Sequence, residues 1–335
     1  MKIRKTRVHP RRNEEPVKAE LEHRPPREEL ERFIGSIPGA TFFHTYSWLD
    51  SLEKAFGNFR ALWLIAREAG ALAGVMPVVR ISRGPFSYLW SLPFGTYGEP
   101  LARDGRVREA LLAEFLRLAR VPGCLEGGAV LFSGETPAPA SRGFRVTMEE
   151  CRLVSLEKGF DEVWNTQWSS KRRQLARRGL DAGVVVRSLE TEEEVMRFHA
   201  IYAGESRAWG GVHPYPERLF LELFRRRGGA AIFWGAFLQE DLLGGHIDFY
   251  HGEMAQAWQG GMTERAGEFE AGAILIKSAM EEACRRGCRV FNLGSSGGNR
   301  GILFFKESLG GREHRYPVIM ARKRWWALVR ERSGA

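Results

Sequence analysis

Two distant stretches of the chain share one order of apolar strand, polar turn and apolar strand. In Leu62–Gly74 the polar turn is followed by Leu-Ala-Gly, and in Phe233–Gly245 it is followed by Leu-Gly-Gly. Each hairpin follows helical patterns and precedes a further strand and a helix. This order predicts an α+β fold with mixed sheets. Its recurrence indicates an internal duplication, because a repeated order marks a repeated structural unit.

The chain length agrees with two such units. The 335 residues correspond to about two average domains. We expect an N-terminal domain over 28–156 and a C-terminal domain over 157–321. Residues 1–27 are charged and nearly free of large apolar side chains, which predicts a disordered basic tail. Residues 322–335 are predicted to form a basic C-terminal helix or tail.

The periodicity also predicts individual elements. The first half is predicted to contain helices starting near Pro26 and after the N-cap Thr45, strands at Phe59–Arg67, Leu72–Ile81 and 86–92, a helix at Arg106–Arg120 and a strand at Ala129–Phe132. The second half is predicted to contain helices near 158–180, 191–208 and 215–227, strands at Ala230–Leu238, Leu242–Tyr250 and Met254–Gly260, a helix at Glu268–Arg286, a strand at Arg289–Leu293, a short helix and a strand at Arg315–Met320.

Charge and composition restrict the function classes. Residues 1–27 carry nine Lys or Arg and four Glu, and residues 315–335 carry six and one, so each end has a charge of +5 and the body a charge of −1 within the net charge of +9. The nearly neutral body makes a DNA partner unexpected, and basic ends touch RNA or anionic lipid only in some proteins. No apolar run reaches the roughly 18–20 residues of a membrane span, and no secretory h-region is present, which predicts a cytoplasmic protein. The four cysteines lack zinc or disulfide spacing, so no metal is expected.

A glycine-rich segment is the first candidate for chemistry. Residues 294–298 read GSSGG, which matches G-x-S-x-G between a strand and a helix. A hydrolase of this type needs an acid and then a histidine after the serine, and His314 alone follows, without further strand–helix units. The sequence therefore disfavours a hydrolase. Two interpretations stay open: a tight glycine loop, or a backbone cradle at Ser295 and Ser296 for an anionic or carbonyl group.

Several basic and aromatic side chains are further candidates. Lys306 follows Phe305 in an apolar run, where it either reaches out to water or stabilises an oxyanion. Arg173 and Arg177 stand at i,i+4 on a predicted helix, which is either a solvated face or an anion site. Arg207 and Tyr215 flank a glycine-containing loop, and loops carry function more often than helix interiors.

These segments resemble the Fem-type and related double-GNAT acyltransferases. The run RVFNLGSSGGNRGILFFKESLGG (289–311) is similar to the end of that family, where a strand and a loop precede Phe-Lys and a glycine. The opening of the family's second domain is similar to KRRQLARRGLDAGVVV, and the family's T-x-x-R helix end is similar to ESRAWGGVHPYPERLF. In the first half, the family's opening helix is similar to FHTYSWLDSL, and its substrate-side loop is similar to SLPFGTYGEP. The resemblance covers roughly residues 30–320, and the Phe-Lys pair is its most specific part.

The resemblance implies two GNAT-like domains around a shared cleft and transfer of an aminoacyl group from aminoacyl-tRNA to an amine of a peptidoglycan precursor, without a cofactor. It implies that Lys306 is catalytic and follows the family's phenylalanine at Phe305. It also implies that Arg207 and Tyr215 hold the precursor's phosphate end. Trp48 and Tyr97 would then line the first-domain side of the cleft. His246 and Asp248 are candidates for the general base.

The sequence departs from the family pattern in two places. The coiled-coil arm of some members is missing. The acetyl-CoA loop [RQ]-x-x-G-x-[GA] does not fit residues 265–273, where Glu268 and Glu270 would repel a pyrophosphate. The alternatives are an acetyl-CoA-dependent N-acetyltransferase of exopolysaccharide or cell-envelope synthesis, and a non-catalytic relative that binds a nucleotide-sugar or RNA. The tail with Trp325 and Trp326 is either a closing helix or a contact with the inner membrane face.

Overall fold

The computed structural model describes residues 17–134, 144–208 and 214–322. The first half contains seven strands and three helices: β1 (Ala19–Glu22), α1 (Arg27–Ser36), α2 (Tyr46–Ala55), β2 (Phe59–Glu68), β3 (Ala71–Arg83), β4 (Phe86–Ser91), β5 (Leu101–Ala102), α3 (Gly105–Leu118), β6 (Cys124–Val130) and β7 (Phe144–Ser155) within the described residues. A 3₁₀ turn (Phe42–His44) precedes α2, which begins after Thr45 because the Thr45 hydroxyl accepts from the Trp48 N–H at 3.4 Å.

The second half continues with α4 (Phe160–Glu162), a π-helical turn (Val163–Gln167), α5 (Ser170–Asp181), β8 (Val184–Ser188), α6 (Glu192–Ala208), α7 (Glu217–Arg225), β9 (Ala231–Leu238), β10 (Asp241–His251), β11 (Met254–Met262), a 3₁₀ turn (Glu264–Phe269), α8 (Ala271–Arg285), β12 (Val290–Asn292), α9 (Arg300–Ser308) and β13 (Arg312–Arg322). Among the described helices, none is long and apolar enough to cross a membrane.

All strands join one mixed sheet in the order β1-β2-β3-β4-β6-β13-β7-β12-β11-β10-β9-β8, with β5 on β3. Each half contributes an antiparallel hairpin, followed by a strand, a helix and a second strand. The two strands on either side of that helix pair in parallel, which joins β4 to β6 in the first half and β11 to β12 in the second. The last strand of each half crosses to the other half. β7 pairs with β12, β13 pairs with β6, and β7 pairs with β13 in the centre. The α+β prediction is confirmed, and the matching order of the halves is that of an internal duplication.

Three apolar clusters hold helices against this sheet. The largest packs α1, α2, α6 and α7 against strands of both halves. A second packs α5 and α8 against second-half strands, and a third packs α3 against first-half strands. Burial of apolar side chains on this scale is the main stabilising contribution to such a fold.

Some sequence expectations differ from the structure. The segment predicted to be disordered contains β1, which pairs with β2 from Ala19↔Ala66 to Glu22↔Trp63 because Leu21 joins the apolar surface of α3. The helix predicted near 158–180 is interrupted by the π-helical turn, and strand β8 was not predicted. The sixth strand begins at Cys124, five residues earlier than expected. Residues 1–16 of the predicted tail and residues 323–335 lie outside the described residues, and the domain boundaries stay a prediction.

Candidate functional site

A cavity of about 300 Å³ lies where the two halves meet. Its walls come from the loop after β4, from the central strands β7 and β13, and from β11 and the segment between β12 and α9. The lining residues are Phe43, Phe94, Gly95, Thr96, Tyr97, Glu149, Gln256, Ala257, Trp258, Gln259, Leu293, Gly294, Ser295, Lys306 and Tyr316. Because both halves supply walls, the cavity depends on the assembly of the whole sheet.

The cavity forms because the parallel ladder of β11 and β12 is short. It pairs three residues on each strand and ends at Gln256↔Asn292. Beyond Asn292 the chain leaves the sheet through Gly294, whose φ of +75° favours glycine. On its other side β11 carries one extra residue, Trp258, where Ile247 pairs with Gln259 and Asp248 with Ala257. Such a bulge takes backbone groups out of the ladder beside the cavity.

Lys306 enters the cavity from α9, whose first turn is capped by Asn299. The Asn299 Oδ1 accepts from the Gly301 and Ile302 N–H groups at 2.9 and 3.1 Å. The Lys306 Nζ donates to the Gly294 carbonyl at 3.0 Å and to the Ser295 carbonyl at 2.7 Å. Burial, with a smaller contribution from the nearby Arg152 charge, lowers the pKa of Lys306 to about 8. The ammonium is therefore held in place but close to its titration point.

A buried side-chain bridge links this lysine segment to the first half. Asn292 is fully buried, and its Nδ2 donates to the Tyr97 hydroxyl at 3.0 Å. Its Oδ1 accepts the Gly294 N–H at 2.8 Å. The Tyr97 hydroxyl also hydrogen-bonds Cys151, whose thiol pKa is raised to about 12 by burial. The bridge thus connects Tyr97 to the N–H of Gly294, the residue whose carbonyl binds Lys306.

The predicted loop residues lie at the site, but their roles differ from the expectation. Ser295 lines the cavity, and its carbonyl accepts from Lys306. The loop was expected to present N–H groups to an oxyanion. Instead the Gly294 N–H is bound by Asn292 and the Gly297 N–H by the Ser295 hydroxyl at 3.2 Å. Ser296 has a buried hydroxyl without a partner among the described residues and does not line the cavity.

Phe305 and Arg173 point to other parts of the second half. Phe305 packs in the cluster of α5 and α8, with the Arg172 guanidinium 4.9 Å from its ring centroid. The Arg173 Nη1 donates to the carbonyls of Trp164, Asn165 and Trp168 at 3.1, 3.0 and 2.6 Å. That arginine closes the π-helical turn, so the structure gives it a local role and does not bring it to the cavity.

Two predicted aromatic residues lie one layer behind the cavity wall. Trp48 is fully buried, and its ring meets the cavity residues Phe43 and Trp258 edge-on at 5.0 and 5.2 Å. Tyr215 stacks on Trp258 at 5.3 Å and meets Phe94 at 4.8 Å. Both therefore support wall residues. Arg207 is exposed at the end of α6 and is not part of the lining.

The expected general bases do not line the cavity. Asp248 is fully buried, its carboxylate lies 3.0 Å from His246 Nδ1, and burial raises its pKa. Successive strand residues face opposite sides, and the neighbouring Phe249 packs in the large cluster with Phe43. Glu149 of β7 is instead the carboxylate among the described lining residues.

Glu149, Gln256, Asn292 and Tyr316 were not identified from the sequence. Tyr316 and Glu149 are register partners across β13 and β7, strands that no local pattern pairs. For Asn292 and Gln256, a polar residue within an otherwise apolar strand was a usable signal. A group of three or more His, Cys, Asp or Glu able to hold a metal is not found in the described part of the chain.

The N-terminus of α8, where a GNAT protein would bind the acetyl-CoA pyrophosphate, is covered. Its N-cap, Glu270, forms an ion pair with Arg172 of α5. Arg172 also donates to the Ser308 hydroxyl at 3.1 Å. Gly179 of α5 lies so close that a Cβ there would be 2.0 Å from the Phe269 carbonyl oxygen. A carboxylate and a packed helix thus occupy the place of a phosphate.

Comparisons with known proteins agree with this architecture. Residues 166–306 match the sequence model of the acetyltransferase (GNAT) domain family. The crystal structure of FemX superimposes with a TM-score of 0.70 at 13% identity, covering 89% of this chain and 96% of that one. The structure of L-PGS from Bacillus licheniformis gives a TM-score of 0.57 at 16% identity, covering 92% of this chain and 98% of that one. A tandem GNAT protein from the clavulanic acid biosynthesis pathway gives a TM-score of 0.51 at 14% identity, covering 91% of this chain and 98% of that one.

No curated protein matches the sequence. At these identities the structural matches establish the fold, and the sequence of residues 166–306 is similar to the GNAT domain family. The chain therefore has the tandem fold seen in FemX, and this fold together with the GNAT match supports an acyltransferase.

Proposed function

We propose that the protein transfers an aminoacyl group from aminoacyl-tRNA to an amine of a peptidoglycan or other cell-envelope precursor. The observation that carries the proposal is Lys306, a partly buried ammonium fixed by two carbonyls in a cavity that both halves form. Acyl transfer develops negative charge on the carbonyl oxygen, and a positioned cation in a partly dry site stabilises that charge. The Phe-Lys resemblance to the Fem family supports the same assignment.

The reaction follows a sequential course without a covalent enzyme intermediate. The amine nitrogen first bonds to the acyl carbon, which places a negative charge on the carbonyl oxygen; the ester C–O bond to the donor then breaks, and the proton of the amine ends on the leaving alkoxide. Lys306 stabilises the oxyanion between these steps. Glu149 is placed to relay the proton, since it is the carboxylate in the described walls of the cavity. Holding both reactants in one cavity supplies a large part of the rate.

The covered start of α8 favours a donor other than acetyl-CoA. Glu270 and Arg172 already neutralise each other there, and Gly179 of α5 packs so closely on the Phe269 carbonyl that no space is left between them for a ligand. A bound pyrophosphate would have to displace this pair. Aminoacyl-tRNA needs no such site, and no cofactor is required. Aminoacyl-tRNA and UDP-linked precursors are cytoplasmic molecules, which supports a cytoplasmic location, and the alternatives for the C-terminal tail, a closing helix or a membrane contact, concern residues outside those described.

A second candidate is an acetyl-CoA-dependent N-acetyltransferase of envelope polysaccharide synthesis. The observation in its favour is the match of residues 166–306 to a domain family described as acetyltransferase. A non-catalytic relative that binds a nucleotide-sugar or RNA would keep the cavity but form no product.

A donor test separates these functions. The purified protein is incubated with UDP-linked or lipid-linked peptidoglycan precursors and with either charged tRNA or acetyl-CoA, and the product mass is measured. We expect an added amino-acid mass with charged tRNA and no added acetyl mass. An acetyl product would reject the tRNA donor, and absence of product with both donors would reject transfer to these acceptors.

A further inference from the structure

Arg152 of β7 is a buried cation beside the lysine segment that the proposed mechanism does not use. Its side chain is 6% exposed, and its guanidinium forms ion pairs with three carboxylates that are 44–50% exposed. The nearest carboxylate belongs to Glu307, the residue after Lys306 on α9, at 3.3 Å, and those of Glu150 and Glu313 lie at 3.5 and 3.8 Å. Solvent screens these half-exposed carboxylates more than it screens the buried guanidinium.

The main chain of Arg152 binds the loop that holds Lys306. Its N–H donates to the Gly294 carbonyl at 3.3 Å, and its carbonyl accepts the Leu293 N–H at 2.8 Å. The same Gly294 carbonyl accepts from the Lys306 Nζ at 3.0 Å. One carbonyl oxygen therefore joins the arginine strand to the lysine ammonium, and the guanidinium reaches the lysine helix a second time, through the Glu307 Oε1 at 3.3 Å.

The other titratable groups around Lys306 carry little positive charge to compete with this arginine. They come from three elements and are Cys151 and Glu149 of β7, Tyr97 of the loop after β4 and Tyr316 of β13. Burial raises the pKa of the thiol to about 12 and also raises the pKa of both phenols, so these three groups are neutral near pH 8. Among the described residues that line the cavity or hydrogen-bond to Gly294, the cations are thus Lys306 and Arg152.

We propose that Arg152 is a positioning residue of the transfer reaction, which fixes the loop and the helix around Lys306 and whose charge sets the pH range in which Lys306 keeps its proton. The inference rests on the proposed role of Lys306 in acyl transfer. Like charges disfavour each other most where little water separates them. The guanidinium therefore brings the loss of the Lys306 proton closer to neutral pH, in addition to holding α9 in place.

Nuclear magnetic resonance of protein labelled with ¹³Cε-lysine measures the protonation of Lys306 without any donor. The chain has nine lysines, and the signal lost in Lys306→Arg identifies Lys306. Arg152→Met removes the charge but leaves the backbone hydrogen bonds of residue 152 in place. We expect its Lys306 titration midpoint about half a pH unit to one pH unit above that of the wild type. Arg152→Lys keeps the positive charge, so its midpoint should stay closer to that of the wild type.

Glu307→Gln separates the charge of Arg152 from its contact with α9. The substitution removes the ion-pair partner on the helix and leaves the guanidinium charge, so the Lys306 midpoint should stay or move downward. A merely structural role predicts the opposite, because a loosened helix lets water reach Lys306 and raises the midpoint in both variants. The Glu307 side chain is 50% exposed, so this variant is expected to fold and tests the proposal even if Arg152→Met does not fold.

Arg172→Met is the matched control, because Arg172 also contacts α9, where it donates to the Ser308 hydroxyl at 3.1 Å, and also pairs with a carboxylate. It should leave the Lys306 midpoint unchanged. An unchanged midpoint in Arg152→Met, an upward shift in Glu307→Gln, or an equal upward shift in Arg172→Met would overturn the proposal.

The result is independent of the donor test. The expected midpoint shifts without product in the donor test would reject the proposed function and keep the coupling of Arg152 to Lys306. Product formation with an unchanged midpoint in Arg152→Met would do the reverse.

Discussion

At the scale of single residues, the site depends on polar groups placed inside an apolar region. Lys306, Asn292 and Tyr97 form one connected set through the Gly294 carbonyl and N–H groups. Networks of this kind are rigid when every member has a partner, and removing one member leaves a buried group unsatisfied. The chemical role of the set therefore belongs to the Lys306 ammonium, and Asn292 and Tyr97 fix the position of the backbone that binds this ammonium.

Replacement of Lys306 by alanine should remove turnover while the protein folds normally. The oxyanion loses its cation, which costs about 10²–10³-fold in kcat by comparison with other oxyanion donors. Product mass in the donor test measures this effect, and circular dichroism checks the fold. Lys277→Ala is the control. Lys277 lies on α8 outside the cavity, where its Nζ donates to Glu281 Oε1 at 2.6 Å. An active Lys306→Ala protein would contradict the assignment.

The pH dependence should show the lysine directly. Burial lowers the Lys306 pKa from 10.5 to about 8, so the ammonium is lost as pH rises through that value. A mechanism that needs the charged form predicts that kcat falls above about pH 8. Lys306→Arg keeps its charge at higher pH and should move the decline upward if it retains activity. A rate that rises through pH 8 in the wild type but not in Lys306→Arg would instead identify Lys306 as a base.

At the scale of elements, the contact between α5 and the start of α8 decides what the second half can bind. Arg172 and Glu270 join the two helices, and Gly179 permits their close approach to the 3₁₀ turn before α8. A glycine in a helix interior is otherwise unfavourable. Its presence here is explained by the Phe269 carbonyl, which leaves no space for a side chain.

Gly179→Ala should therefore destabilise the protein. The added Cβ would be 2.0 Å from the Phe269 carbonyl oxygen, and overpacking of this kind costs about 1–3 kcal/mol. Gly204→Ala in α6 is the matched helical control, because no atom lies within 4 Å of its Cβ position. We expect it to be neutral or stabilising by up to about 1 kcal/mol. Urea unfolding gives both values, and equal midpoints for the two variants would be inconsistent with the close contact.

At the scale of the whole molecule, the exchange of β7 and β13 makes the halves interdependent. Strand β6 of the first half pairs with β13 of the second half, and strand β12 of the second half pairs with β7 of the first half. The cavity lies across this join. Neither half can complete its sheet or its site alone.

The protein should accordingly unfold in one cooperative transition. Calorimetry is expected to give a single peak whose van't Hoff and calorimetric enthalpies agree. Gly179→Ala, a change in the second half, should shift that whole peak to lower temperature. Two separate peaks, with only one moved by the substitution, would show that the halves unfold independently.

The sequence by itself determined most of the elements and the class of the fold. Thr45 as an N-cap, the apolar runs of β2, β3 and β10, and the repeated hairpin are local signals, and local physical preferences suffice to interpret them. Lys306 and the loop beside it were also found from the sequence, because one lysine in an apolar run next to glycines is unusual.

Only the tertiary structure decided which residues share the cavity. Pairing of β7 with β12 and β13 joins residues far apart in the chain, so Glu149 and Tyr316 gave no local signal. Arg173 looked available for an anion, but three carbonyls of the π-helical turn bind it. Local patterns fix backbone preference and side-chain face, whereas long-range pairing brings side chains together, and the site is a product of that pairing.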